Sequence, residues 1–566
     1  MLWLLGLALE KVRQYLKKLN FFFAQTQLVS LLIVGFGQPA VWPLLAPLAS
    51  SVGLALHWRG LDYLSDRIAR KISFFWFFVV QLIQLSWMSA IEYQGPFFLL
   101  VYIGLSLALG WQFSFLTFQM RKVSFLSFGS IFMLSAIWVC MEWCRHYFFC
   151  GFTFNFLGVF LSWSVFSLQL ASLFGVLGLS FFVVFTNLCG LRLLRGKFLW
   201  SSTITFFCIL LLPYIYGGSS MFLQDFFAKG KKEGEYSLLL IQTGLTPSQK
   251  YPIYKRSAEF LPALEQWSVI LGELVKHVGK KLDLVVFPEA VVPFGFGQRV
   301  YEKSDVKALC VSYFGSAIND SFPLDSFSKV SNAYFFQTLA RFFQVEFVAG
   351  LDYEEGGLYY NSVFSFSPSS DILKRYDKRI LLPIAESLPF SFLKSVSKIY
   401  GIDQFFTPGT SAQVFGEISW APSICYEEMF PFLMRESKRL GANLFVNLTN
   451  DAWYPSSSLS VQHFTQGLIR AVENGVPLIR ASNKGITAAV DSLGRIVSFI
   501  EGEEANSLYV KISKHHYRTF FSSGGAYLFI VFCVVLSLSF LCLSRRRVFK
   551  ACLPSLLSRS FRLNCK

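Results

Sequence analysis

From Phe21 to about Ser219 the chain is a succession of apolar stretches on the scale of a ~30 Å hydrocarbon core, which restricts the fold more than any other feature. Helical spans are expected near 21–36, 39–56, 73–92, 97–118, 124–141, 165–190 and 199–217. An eighth runs from about Gly525 to Leu543. The first is not read as a signal peptide, because no small-residue cleavage site ends it and more spans follow.

Orientation follows from the short loops. Lys11, Arg13, Lys17 and Lys18 precede the first span, and Arg59, Arg67, Arg70 and Lys71 lie between the second and third. Arg121 and Lys122 follow the fourth, Arg192, Arg195 and Lys197 the sixth, and Arg545, Arg546 and Arg547 the last. All five segments fall on one side of a membrane, while the turns near Gly37 and Tyr93 carry no Lys or Arg. If basic loops are cytoplasmic, the region between the seventh and eighth spans lies outside the cytoplasm. Three parts are expected: a membrane domain of about seven helices over 1–220, an extracytoplasmic domain over 221–523, and a final span with a basic tail over 524–566. The net charge of +16 is thereby read as topology and not as a nucleic-acid site.

Most cysteines lie in or beside apolar segments or in the tail, leaving Cys310 and Cys425 for the outer region. No CxxC pair or Cys/His cluster has zinc spacing, and the pair His515 and His516 is too little for a metal site, so neither a metal nor a disulfide framework is expected.

The outer region alternates strands and helices. Strands are expected at Tyr236 to Gln242, Leu282 to Phe287, Val345 to Ala349, Ser362 to Phe366, Leu444 to Asn447, Leu478 to Ala481, Ile486 to Val490 and Ile496 to Ile500. Helices are expected at Lys255 to Val278, Asn332 to Phe343, Met429 to Leu440 and Val461 to Glu473. Apolar strand cores alternating with helices imply a layered α/β domain.

Three strand ends carry ionisable groups. In LVVFPEAVVP, Pro288 fixes the backbone so that Glu289 projects at the strand rim; the plain alternative is an exposed loop glutamate. In KRYDKRILLPIAESLPF, Lys378 and Glu386 flank an apolar segment and could converge if it folds over a pocket. The basic run there could equally be solvated or meet phospholipid head groups. In ISWAPSICYEEMF, a β-prone run delivers Cys425, Tyr426 and Glu427; a free cysteine is more often a small buried hydrophobe than a nucleophile. Together they make chemical sense. A glutamate can take the thiol proton, the cysteine can attack a carbonyl, and an ammonium can stabilise the oxyanion with a backbone N–H. A Cys/His pair would instead use His277 or His463.

Glu289 in FPEA, Lys378 in RYDKR and Cys425 in ICYEE, in that order, resemble the triad of the nitrilase (carbon–nitrogen hydrolase) superfamily. The spans narrow the resemblance to the apolipoprotein N-acyltransferase family of bacterial inner membranes. Supporting stretches are IQTGLTPSQKY from Ile241, YNSVFSFSPSSDILKRYDKRILLPIAE from Tyr360, NLTNDAWY from Asn447 and RAVENGVPLIRASNKGI from Arg470. EWCRHYFFCGFTFNFLG from Glu142 and QLASLFGVLGLSFFVVFTN from Gln169 add to these. The resemblance implies a four-layer αββα sandwich on the periplasmic face, with Glu289 as general base, Lys378 as oxyanion donor and Cys425 as nucleophile. Glu386 is similar to a glutamate that supports the lysine, and Tyr426 and Glu427 to residues flanking the nucleophile. Tyr251 stands where the family often has a tryptophan on a mobile loop.

The chain departs from the pattern at Ala385, Tyr454, Pro455, Lys484, Thr153 and Phe154, none of which belongs to the triad. The implied reaction passes a fatty acyl chain from a phospholipid, phosphatidylethanolamine, through a Cys425 thioester to the α-amine of a diacylated apolipoprotein. It needs no cofactor, and membrane lipids surround the site. Glu142 and Arg145, at an outer span end, bind head groups or anchor the helix. The alternatives are a membrane-tethered amidase that passes its acyl group to water and a catalytically silent lipoprotein-binding module.

Overall fold

The computed structural model describes residues 21–123, 126–148, 151–196, 199–231, 234–253, 256–388 and 405–561. Lys11, Arg13, Lys17, Lys18 and Lys197 lie outside the described residues, as do the side chains of Arg545, Arg546 and Arg547.

A helix stands at each of the first seven expected spans: α1 (Phe21–Phe36), α2 (43–60), α3 (Asp66–Gln84), α4 (Phe98–Arg121), α5 (Phe128–Cys144), α6 (Ala171–Arg195) and α7 (Trp200–Lys231). Of these, α4, α6 and α7 are long and apolar enough to cross a membrane, and so is the final stretch Phe521–Leu543. The others are shorter or interrupted, and the interruptions have local causes. In α2 a π-turn at Ala49–Gly53 shifts the bonding pattern, and the Asn187 side-chain oxygen accepts from the N–H groups of Leu54 (2.8 Å) and Ala55 (3.2 Å). The span expected over 73–92 stops being α-helical at Gln84, whose amide donates to the Val34 carbonyl (2.7 Å), and a 3-10 turn follows at Ser86–Ser89. α7 runs past the boundary expected near 220 to Lys231, and its apolar character continues with it through Phe222, Phe226 and Phe227. Leu100, Trp111, Ile204, Leu211 and Phe222 are exposed on these helices, as lipid-facing residues are.

The outer region is a sandwich of two sheets. Its strands are β1 (Glu235–Gln242), β2 (Leu284–Val286), β3 (Tyr301–Glu302), β4 (Lys329–Val330), β5 (Glu346–Glu355), β6 (Leu358–Ser367) and β7 (Ser370–Asp377), then β8 (Trp420–Ile424), β9 (Leu444–Thr449), β10 (Leu478–Ser482), β11 (Gly485–Val490), β12 (Ile496–Gly502) and β13 (Asn506–Ser513). The first sheet has the order β13-β1-β2-β5-β6-β7 and the second β12-β11-β10-β9-β8; β3 and β4 form a separate pair. β1 pairs in parallel with β2 and antiparallel with β13, Glu235 opposite Ser513.

Strand periodicity sets the layers. Leu238 and Leu240 of β1 join Val286, Val348 and Val363 in a core against Ile424, Val446, Leu448 and Ile479 of the second sheet. The alternate residues Leu239 and Ile241 face outward, onto α8 (Ala263–Val275), α9 (Lys303–Phe314) and α10 (Asn332–Phe343). The outer face of the second sheet is covered by α11 (Pro431–Arg439) and α12 (Leu459–Asn474), which completes an αββα sandwich. That outer helical layer shares one continuous core with the membrane helices: Ile469, Val472 and Leu433 pack in the same cluster as Leu177 and Trp138. A π-turn at Phe521–Gly525 then leads into α13 (Ala526–Phe561).

One glycine shows how closely the two parts meet. Gly175 interrupts α6 at φ +71°, and a Cβ there would lie 2.5 Å from the Phe521 ring and 2.9 Å from the Glu473 carboxylate. Glu473, from α12, accepts the Val176 N–H (2.7 Å), so the carboxylate caps the restarted membrane helix, where the positive end of its dipole lies.

Candidate active site

Glu289, Lys378 and Cys425 leave the ends of β2, β7 and β8. The Glu289 turn is tight: Ala290 has φ +43°, and a Cβ on Gly350 of β5 would sit 2.7 Å from the Glu289 Cα, so only glycine fits there. On β7 burial alternates from Arg375 to Lys378. Tyr376 and Lys378, two apart, both turn inward, and the residues between them are only partly covered. Cys425 has φ +47° and opens a 3-10 turn over Cys425–Met429. This left-handed backbone at a cysteine costs on the order of 1–3 kcal/mol and aims the thiol away from the strand line.

The Lys378 ammonium is buried and donates to Glu289 Oε1 (3.1 Å) and Glu386 Oε1 (2.7 Å). Asn361 of β6 donates to the same two oxygens (2.7 and 3.2 Å), and the Leu382 N–H fixes the other Glu386 oxygen (2.7 Å). Behind Glu289, Asn483 donates to its carbonyl (2.7 Å), and the fully buried Lys250 donates to that carbonyl (3.4 Å) and to Asn483 Oδ1 (2.9 Å). Tyr251, half-buried at the end of the short Thr246-capped helix, adjoins Glu289 and Asp352.

The electrostatics are those of a crowded acidic pocket. Burial alone would lower Lys378, but Glu289 and Glu386 outweigh it and hold the ammonium above the ordinary lysine range. Burial, then the Glu289 charge, keep the proton on the Cys425 thiol, while Lys378 works the other way. Burial drops Lys250 to about 7 and raises Asp352 to about 6, each partly offset by the other. A neutral thiol beside a carboxylate and a persistent cation suits a reaction in which the proton leaves only as sulfur attacks.

Glu427 is fully buried and accepts from Tyr376 Oη (2.9 Å) and the N–H groups of Arg379 (2.6 Å), Ile380 (3.2 Å) and Ile424 (2.8 Å). It therefore ties the strand end before Cys425 to the strand end that delivers Lys378. The Tyr426 hydroxyl donates to the Gly151 carbonyl in the membrane part, and its ring stacks over Phe154 at 6.3 Å. Tyr454 packs on Trp87 (5.0 Å) and Phe98 (5.8 Å), between Cys425 and the membrane helices. Lys484 instead pairs with Glu503 at 3.5 Å at the surface.

His463 does not act on the thiol in this geometry. Its Nε2 bonds the Cys425 carbonyl (3.1 Å) and its Nδ1 lies 2.9 Å from Asp451 Oδ1, beside the Arg480 guanidinium, which reaches Asp451 (2.6 Å) and Glu428. His277 bonds Ser507 (2.9 Å) on the far face of the first sheet. Glu142 is fully buried, accepting from Trp138 Nε1 (2.8 Å) and the Leu157 N–H (2.9 Å), so it anchors its helix and the following loop and does not reach a head group. Arg145 lies 3.8 Å from Glu142 and stacks over the Phe156 ring at 4.5 Å. Asn361, Lys250 and Asn483 escape a reading by residue type, because amides and a lysine amid loops carry no chemical signal of their own; all three lie within the motif stretches quoted above.

The αββα sandwich is the fold of the carbon–nitrogen hydrolase superfamily, and the Carbon-nitrogen hydrolase family matches residues 247–520. The Apolipoprotein N-acyltransferase N-terminal domain matches residues 29–189. Apolipoprotein N-acyltransferase of Chlamydia pneumoniae is 30% identical over 90% of this chain and 95% of its own length, and that of Chlamydia caviae 32% over 88% and 93%. The chain belongs to the apolipoprotein N-acyltransferase family. Among solved structures it is similar to an amidase of the nitrilase superfamily from Nesterenkonia, at 18% identity and TM-score 0.33, covering 50% of this chain and 92% of that one.

Proposed function

We propose that this membrane enzyme transfers a fatty acyl chain from a phospholipid, phosphatidylethanolamine, to the N-terminal amine of the diacylglyceryl-cysteine of apolipoproteins. Glu289 takes the Cys425 thiol proton as sulfur attacks the ester carbonyl, and gives it to the departing lysophospholipid oxygen. Lys378, held by Glu289 and Glu386, stabilises the oxyanion with a backbone N–H. The acceptor amine then attacks the thioester, its proton passes through Glu289, and the sulfur leaves as a thiol. Amide formation from a thioester is downhill, so no ATP enters.

The observation that carries this reading is the Tyr426 to Gly151 contact beside Cys425: the nucleophile turn is built onto the membrane part, where both lipid substrates would lie and water is scarce. The catalytic part, over 221–523, would face the periplasm from the bacterial inner membrane, between the membrane part over 1–220 and the final span and tail over 524–566. Tyr251, Tyr426 and Glu427 would shape the pocket, and Arg145 would support Tyr426 from below.

The test is a mass spectrum of the Cys425 peptide after the purified protein meets phosphatidylethanolamine in detergent. A fatty-acyl mass on Cys425 that neutral hydroxylamine removes is expected. An unmodified cysteine in folded protein, with amine released from a small amide, would turn the assignment to an amidase.

A further inference from the structure

A cavity of about 480 Å³ lies apart from Cys425, between the outer end of α7 and the segment joining β13 to the last span. It is lined by Gln224 and Phe227 of α7, Lys438 at the end of α11, and His515, His516 and Arg518. Its height relative to a bilayer is fixed by the chain on both sides. Arg518 stands three residues before the apolar stretch that begins at Phe521, within about 10 Å of chain. Across the cavity, Phe222, Phe226 and Phe227 are 71%, 65% and 51% exposed on α7, an apolar patch with no partner among the described residues that lipid chains can cover. The cavity thus opens at head-group level, with apolar side chains directly beneath.

Its charge is one-sided. The Lys438 ammonium is half-buried and makes no hydrogen bond or ion pair among the described residues, and burial pushes it down to about 8, a cost that a bound anion relieves. Arg518 uses its Nε on Ser523 (2.8 Å). The carboxylate close by, Asp225, is taken by Arg495 through two bonds of 2.8 and 2.6 Å. Among the described residues that line the cavity, the charge that remains is that of Lys438 and Arg518.

We propose that this cavity binds the phosphate head group of an anionic membrane phospholipid, with its acyl chains along Phe222 and Phe226, at a site separate from the donor site at Cys425. The proposal rests on the membrane placement of α7 and the last span, and not on the acyl-transfer chemistry.

The full-length protein in neutral detergent is titrated with phosphatidylglycerol, phosphatidylcholine or inorganic phosphate, and bound lipid is counted by native mass spectrometry. One phosphatidylglycerol is expected to be retained in preference to phosphatidylcholine. Lys438→Gln combined with Arg518→Gln weakens it at least about tenfold, as loss of charge-assisted hydrogen bonds predicts, while Lys438→Arg retains it. An unchanged thermal midpoint in the double variant shows that the fold is intact. Native affinity in the double variant, or equal retention of phosphatidylcholine, overturns the proposal. Saturable inorganic phosphate that displaces the lipid without any lipid preference assigns the cavity to free phosphate and overturns it as well.

Discussion

Two clusters of buried charge flank Cys425, and each sets two carboxylates against one cation. On the thiol side Lys378 bridges Glu289 and Glu386; on the carbonyl side Arg480 bridges Glu428 and Asp451 with His463 wedged between. The two carboxylates and one cation of each cluster carry the same formal charge, so charge cannot explain what each does. Access and the kind of cation can. Glu289 and Glu386 keep 9% and 14% of their side-chain surface and hold a compact ammonium, which can follow a charge that forms nearby. Glu428 and Arg480 keep none, and the guanidinium fork fixes both carboxylates at once. One cluster can trade a proton; the other holds the Cys425 carbonyl, through His463, in its left-handed turn.

The comparison is open to attack at each member. Glu289→Gln leaves Lys378 with Glu386, so acyl transfer should fall by about 10² to 10⁴, the scale of a lost general base, while the thermal midpoint stays near native. Unfolding of that variant in detergent would make the two clusters equivalent after all. On the other side, Arg480→Met strands two buried carboxylates and should cost about 3–5 kcal/mol of stability, read as a loss of folded protein before any change in turnover per folded molecule. Lys378→Met should lower transfer by about 10² to 10³ if the ammonium meets the oxyanion, measured as turnover of folded protein; near-native turnover would remove that role.

The smallest effect is one of pH. Asp352 is raised to about 6 by burial, so between about pH 4 and 6 the folded chain keeps a proton that the unfolded chain has released. The stability this contributes is complete below pH 4 and is lost as pH rises through 6. Asp352→Asn should flatten that slope in a thermal-midpoint series, and an unchanged slope would place its origin elsewhere.

The sequence made the alternating apolar strands and the residues at their ends readable. β8, β9, β10 and α10 fall where the pattern puts them, because both faces of these strands, or one stripe of the helix, are buried. β7 did not show: it is an edge strand on which Lys374 is exposed and Arg375 and Asp377 are only partly covered, so KRYDK reads as a solvated run although Tyr376 and Lys378 are buried. α9 buries only Val306 and Cys310, too thin a stripe to see. The helix expected from Lys255 begins at Ala263: Ser257–Glu259 form a separate 3-10 turn, and Pro262, which has no N–H to donate, takes the N-cap position. His463 stood out as a possible base, yet its role depends on Asp451, Arg480 and the Cys425 carbonyl, contacts that residue order does not reveal.

The pairing of β1 with β13 has a consequence for how such a chain can be built. Glu235 and Ser513 are ladder partners, so the outer domain starts and stops at one point, above α7 and the last span, which both pack on α6. A unit whose ends meet can be spliced into a connection between two spans without moving either, as domain insertion in general requires. What such an insertion must still fit is the seam, where Gly151 and Gly175 leave no room for a Cβ.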